Sequence, residues 1–161
     1  MPFKSGHFIT FEGCDGVGKS TQIAMLADFL TNKGINVIQT REPGGTIISE
    51  SIRDILKSNF HIDAITETLL IFAARREHFI QKIKPALDTG SWVLCDRFCD
   101  STIVYQGVLK NVDIKEILHI QQLTIGDFEP DLTILLDISY NSAQKRVNLR
   151  SNDTTDNYDF L

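Results

Sequence analysis

Gly13-Cys14-Asp15-Gly16-Val17-Gly18-Lys19-Ser20 is the stretch on which the reading of this chain turns. It matches G-x-x-x-x-G-K-[ST], the pattern of a loop that cradles phosphate. His7–Phe11 before it reads as a short, mostly apolar strand. The residues after it read as a helix, with Ile23, Leu26, Ala27 and Leu30 at the i, i+3, i+4, i+7 spacing of one buried face. Glycines let the backbone curl so that successive N–H groups point at phosphate oxygens. The helix N-terminus, with Ser20 and Thr21, adds its positive dipole end. Lys19 reads as a solvent-facing cation for the β- and γ-phosphates of a nucleotide, and the Ser20 hydroxyl as a Mg²⁺ ligand. With glycine near 7% of residues, the bare pattern arises by chance at roughly 4 × 10⁻⁵ per start position. Between a strand and a helix, it predicts nucleotide binding.

Outward from the loop, strand and helix patterns alternate. Gly34 stops the first helix in the left-handed cap position. Asn36–Thr40 is a second strand, and Thr46–Lys57 a helix burying Ile48, Ile52, Ile55 and Leu56. A longer helix covers Ile65–Leu87 and ends near Gly90, and Ser91–Asp96 is a third strand in which Trp92 alternates into the core. Asp113 with Glu116 reads as a capping box opening a helix to Gly126. Asp131–Ile138 is a continuous apolar strand, as expected where both faces of a parallel sheet are covered, and Asn141 caps a last helix to Arg150. This alternation implies right-handed βαβ units in one domain over residues 1–161. The expected fold is a P-loop α/β three-layer sandwich, a parallel sheet with helices on both faces.

Composition narrows the partners. The 161 residues carry 16 Lys+Arg against 21 Asp+Glu, for a net charge of −5. Such a chain fits one domain and argues against sequence-independent binding to a nucleic acid polymer. The longest apolar runs fall short of a membrane span, and nothing at the N-terminus reads as a signal peptide. Cys14, Cys95 and Cys99 are an odd set without metal-ligand spacing, which suits a reducing, cytoplasmic setting. His7, His61, His78 and His119 show no ligand spacing either and read as structural or solvated.

Open α/β sheets bind ligands at the C-terminal ends of their strands. There the second strand runs into Arg41-Glu42-Pro43-Gly44-Gly45-Thr46, and the third into Asp96-Arg97-Phe98-Cys99-Asp100-Ser101-Thr102 and Tyr105-Gln106-Gly107. Arg97 is placed to fork onto a second phosphate with its planar guanidinium. Asp96 beside it would either orient Arg97 or hold water on Mg²⁺.

Together with Phe11-Glu12-Gly13 and Pro130-Asp131-Leu132, these motifs resemble, in order and over essentially the whole chain, the thymidylate kinase family. The resemblance implies transfer of a phosphoryl group from MgATP to dTMP, on the route to dTTP, by a cytoplasmic homodimer. A deoxynucleoside kinase is the enzymatic alternative, and a non-catalytic nucleotide-binding protein the other. Carried over by position, Asp15 and Glu42 resemble acidic residues near the sugar 3′-hydroxyl and phosphate. Arg97 resembles the arginine that grips the acceptor phosphate. Arg75 resembles the one that contacts the base, and Arg53 an arginine near it. Ser101, Thr102 and Gln106 match positions facing the thymine edge, and Tyr105 the ring that crowds the sugar 2′ position.

The chain departs from the family pattern twice. Where the family stacks a phenylalanine on thymine, ungapped alignment places Ile71, with Phe72 one residue along. One residue is a rotation of about 100° on a helix, so either Ile71 pairs with Arg75 or Phe72 with Arg76. Gly16 also stands where one subtype carries an arginine, which implies the subtype with catalytic arginines in a lid. Ser151–Leu161 contains no arginine, so the lid and a fifth strand are expected to be incomplete.

Overall fold

Four apolar segments pair as parallel strands in the order β2-β3-β1-β4. They are β1 (Phe8–Glu12), β2 (Val37–Arg41), β3 (Trp92–Asp96) and β4 (Leu132–Leu135). The computed structural model describes residues 6–58 and 60–151. The Ser151–Leu161 stretch, on which the expected lid and final strand bear, lies outside the described residues except for Ser151. Among the described residues no helix is long and apolar enough to cross a membrane.

Side chains alternate across the sheet and so feed two separate cores. Ile9, Phe11 and Leu94 pack with Ile23, Ala27 and Leu30 of α1 (Lys19–Asn32), the face expected from spacing. Gly34 at φ 79° follows the cap residue Lys33, as expected. Phe8, Val93 and Cys95 turn to the other side and meet Ile83, Phe98 and Ile125. That side is built from α2 (Ile47–Lys57), α3 (Ala64–His78), α4 (Lys84–Asp88), α5 (Cys99–Thr102) and α6 (Ile114–Ile125). A last helix, α7 (Tyr140–Ser151), lies across the loop that follows β1, where Arg146 reaches the carbonyls of Gly16 and Val17 at 3.4 and 3.3 Å.

Five local readings need correction. The helix of Ile65–Leu87 is α3 and α4 joined through a π-helical turn, Phe79–Ile83. Pro85 in the first turn of α4 lacks the N–H of a regular helix, and such a turn accommodates it. In α2, Leu56 is buried but Ile48 and Ile55 are 54% and 46% exposed, because the helix packs on α3 and not on the sheet. β4 ends at Leu135 and is the outermost strand among the described residues, with Leu132 and Leu135 51% and 73% exposed. Its outer face is not covered among the described residues. The last helix is capped by Ser139, whose carbonyl accepts from Ser142 and Ala143, and not by Asn141. The capping box is half made, since the Asp113 carboxylate accepts from Lys115 N.

The sheet order has a consequence for the site. The chain leaves β1 for β2 and returns to β3 between them, so the ends of β1 and β3 form the crevice of a topological switch point. Leu94, fully buried between β1 and β2 partners, is central to this arrangement. Leu94→Ala is expected to cost about 2–5 kcal/mol in urea unfolding. Leu123→Ala, at an 85% exposed position, is expected to stay within about 0.5 kcal/mol.

Candidate active site

The loop after β1 is bent by glycines that nothing larger would fit. A Cβ on Gly13 would lie 2.4 Å from the Leu136 carbonyl oxygen, and one on Gly16 would lie 2.5 Å from that of Ala143. Gly18 at φ 108° opens α1 with no side-chain cap and no acidic residue in the first turn. The first amides and the helix dipole are therefore left for an anion. Lys19 is only 6% exposed, not solvent-facing, and its Nζ donates to the Gly13 and Cys14 carbonyls at 3.0 and 3.2 Å. Burial, with Arg97 nearby, holds its ammonium below the ordinary lysine range, against the pull of Asp96 and Asp15. An ammonium in that state gains from an incoming phosphate.

The end of β3 supplies the opposite wall. Asp96 accepts from the Ser20 hydroxyl at 3.1 Å and stands 3.8 Å from Lys19 Nζ. Arg97 is oriented by Asp15 at 2.7 Å and by Ser101 at 3.0 Å, with Tyr105 under its guanidinium at 5.2 Å. Of the two uses read for Asp96, this geometry gives the orientation of Arg97 to Asp15. Arg41, Arg53, Lys19 and Arg97 converge with Asp15 and Asp96 on one cleft of about 120 Å³. Arg53 Nη1 donates to the Pro43 carbonyl at 2.8 Å. Among the described residues no group of three or more His, Cys, Asp or Glu side chains is placed to hold a metal. The paired Ser20 and Asp96 oxygens fit Mg²⁺, which takes a few protein oxygens together with phosphate and water.

A narrow slot opens beside this cleft, lined by Ile71, Arg75, Phe98, Thr102, Tyr105 and Gln106 among others. Arg75 is fully engaged at its base: Nε donates to Glu42 at 2.6 Å, and Nη2 to the Phe98 carbonyl and Thr102 at 3.1 and 3.0 Å. Its Nη1 is buried with no hydrogen-bond partner among the described residues, as is Asp15 Oδ2. Ile71 lines the slot with Arg75, while Phe72 packs into a separate cluster with Val112 and Ile117. Arg76 instead donates to the Thr124 carbonyl. Of the two alternatives for this helix, the geometry therefore places the Ile71 and Arg75 pair at the slot.

Residues not singled out from the sequence hold this wall together. His78 is fully buried, with Nδ1 2.9 Å from Glu42 and Nε2 2.6 Å from the Thr40 hydroxyl. Gly45 lies against that contact, where a Cβ would approach His78 and Thr40 to 2.6 and 2.7 Å. Glu12 accepts from Phe98 N and the Ser101 hydroxyl, and burial pushes its carboxyl up despite them. Glu67, Ile71, Arg75 and His78 recur at helical spacing on one buried face of α3. That period was the available signal for Glu67 and His78. The segment Cys99–Leu109, which had no helix assigned from sequence, is helical and ends in a π-type stretch.

A phosphate loop and a second cationic wall, meeting at the switch point of a parallel sheet, define a P-loop phosphotransferase site. Comparison narrows the class: the thymidylate kinase family model matches residues 11–161. The chain is 47% identical to the thymidylate kinase of Chromohalobacter salexigens over 148 residues, 90% of this chain and 70% of that protein. It is 44% identical to the thymidylate kinase of Teredinibacter turnerae, over 91% of this chain and 73% of that one. The crystal structure of thymidylate kinase from Ehrlichia chaffeensis superposes with a TM-score of 0.79 at 44% identity, covering 92% of this chain and 86% of that one. The chain belongs to the thymidylate kinase family.

Glu42 gives this site a pH signature. Burial alone would raise its carboxyl, but Arg75 and His78 hold it below the ordinary carboxylate range. A depressed folded value adds stability above the unfolded-chain pKa of about 4.3, and that stability is lost as pH falls through the folded value. Glu42→Gln is expected to cost about 3–5 kcal/mol at pH 7, because Arg75 is left buried without its counter-charge. In urea unfolding the gap should narrow as pH falls from about 5 downward, because the unfolded chain takes up a proton that the native carboxylate resists. A constant gap across that window would contradict this account.

Proposed function

We propose that this chain transfers the γ-phosphoryl group of MgATP to the 5′-phosphate of dTMP, yielding dTDP and ADP. The carrying observation is the meeting of two cationic half-sites, Lys19 in the loop and Arg97 at the end of β3, in one cleft. Two anions that repel each other need such a cleft. An oxygen of the dTMP phosphate attacks the γ-phosphorus, and the bond from that phosphorus to the β–γ bridging oxygen breaks. No covalent enzyme intermediate is needed, since positioning and charge neutralisation drive such transfers.

In this reading the amides of Gly13, Cys14, Asp15, Gly16, Val17, Gly18, Lys19, Ser20 and Thr21 wrap the donor phosphates. Ser20, with Asp96, would hold Mg²⁺, which supplies charge neutralisation across the β- and γ-phosphates when bound. Arg97 forks onto the acceptor phosphate, with Asp15 fixing its plane. Asp15 offers its second oxygen, Oδ2, to the sugar hydroxyl. Glu42 acts through Arg75, because Arg75 and His78 take both of its oxygens. Arg75 Nη1 reaches for the base in the slot of Ile71, Thr102 and Gln106. Ser101 supports Arg97, Tyr105 limits room at the sugar 2′ carbon, and Arg53 lines the cleft.

Helices α2, α3 and α6 pack side by side and leave Ile48, Ile55, Leu69 and Leu118 exposed. This supports a homodimer formed through that layer. The three cysteines are free, which fits a cytoplasmic protein.

The test is steady-state turnover with MgATP and either dTMP or thymidine. The proposal expects turnover of dTMP and little of thymidine. The reverse preference would indicate a nucleoside kinase, and turnover of neither would indicate a non-catalytic binder. Lys19→Ala is expected to abolish turnover while the variant still unfolds in a cooperative transition. Arg97→Lys is expected to weaken dTMP use by about ten- to a hundredfold, the loss of one forked, charge-assisted contact. An Arg97→Lys enzyme within twofold of wild type in both KM and kcat would make Arg97 a structural strand-end residue.

A further inference from the structure

The geometry points to Glu67 as the positioning residue that decides which base the acceptor slot takes, by fixing the hydrogen-bond polarity of Gln106. This rests on the reading of that slot as the dTMP base site. Glu67 is on α3, 5% exposed, and two donors take both of its carboxylate oxygens. Gln106 Nε2 donates to Oε1 at 2.8 Å, and Lys110 Nζ pairs with Oε2. Gln106 itself is 1% exposed and lines the slot.

A glutamine amide is ambiguous by itself, because one end accepts and the other donates. A carboxylate removes the ambiguity, since it only accepts and so must face the NH₂ end. Oxygen and nitrogen lie on opposite sides of the amide carbon, so the end turned away from Glu67 is the acceptor, Oε1. Lys110 keeps the carboxylate ion-paired, and α6-side packing of Ile114 and Ile117 on Gly107 confines the neighbouring backbone. Gln106 and Arg75 both line the slot, and Arg75 Nη1 is a buried donor with no partner among the described residues, so on this inference the slot has an acceptor from Gln106 and a donor from Arg75. Thymine offers the complementary pair, an N3–H donor and a carbonyl oxygen at C4. Cytosine offers an N3 acceptor and a 4-amino donor, so both contacts reverse. A buried acceptor set against an acceptor discriminates strongly, because neither group is satisfied.

The probe pair is dTMP and 5-methyl-dCMP, which share size and methyl group and differ only in this polarity. Calorimetric binding is used, so the result does not depend on turnover. The wild-type chain is expected to favour dTMP by about a hundredfold or more. Glu67→Gln lets both amides turn together, and the preference is expected to fall by about ten- to a hundredfold, with 5-methyl-dCMP gaining. In Glu67→Gln/Gln106→Glu the new carboxylate again turns an acceptor to the slot, and the preference for dTMP is expected to return. A wild-type preference within twofold would overturn the inference even if no variant folds. So would parallel loss of both ligands in Glu67→Gln, which would make Glu67 a packing residue. Failure of the wild type to turn over dTMP while the binding ratio holds would count against the kinase reading alone.

Discussion

A carboxylate and a guanidinium buried against each other, Glu42 and Arg75 at 2.6 Å, join the parts from which the site is made. Glu42 follows β2, Arg75 is on α3, and Phe98 and Thr102, which accept from Arg75, follow β3. Taking two charges out of water costs several kcal/mol per ion, and attraction offsets this only when the remaining polar atoms are satisfied. Here His78 satisfies the second Glu42 oxygen, and Thr40 satisfies His78. The close packing of Gly45 on that contact gives a physical reason for a glycine there. The one donor left over, Arg75 Nη1, belongs to the slot wall.

The same logic operates on the phosphate side. Lys19 and Arg97 repel each other, and Asp15 and Asp96 hold them together in a cleft where burial already disfavours the lysine charge. Donors fixed before the reactants arrive do not have to reorganise during the reaction, which is the main electrostatic advantage a protein has over water. The cleft is therefore prepared for two anionic groups.

Much of this was legible in the sequence, and for identifiable reasons. The loop after β1 and the buried face of α1 carry strong local signals, glycines at fixed offsets and a clear helical period, and both elements lie where they were read, although Lys19 is buried and not solvent-facing. The third strand and its Asp96-Arg97 ending were equally plain. Where packing decides, sequence was a poorer guide. Ile48 and Ile55 look like core residues by period, but among the described residues α2 lies mainly on α3 and leaves them exposed. Leu132 and Leu135 read as doubly covered, but among the described residues β4 is the outermost strand and both are exposed. The π-helical turns leave no mark in a hydrophobic pattern, and one of them places Gln106 at the slot. His78 and Glu67 looked ordinary because their partners, Glu42 and Gln106, are 36 and 39 residues away.

One buried ion pair, Glu42 with Arg75, serves stability through its pairing and acceptor binding through Arg75 alone. The direct measurement is a cycle of Glu42→Gln, Arg75→Met and the double variant, with unfolding free energy and dTMP binding measured on the same preparations. The account predicts that the two single losses are strongly non-additive, with the double variant regaining about 2 kcal/mol or more over their sum, because no unpaired charge remains buried. It also predicts that dTMP binding stays lost in both variants lacking Arg75. Additive losses, or a double variant that binds dTMP as wild type does, would contradict it.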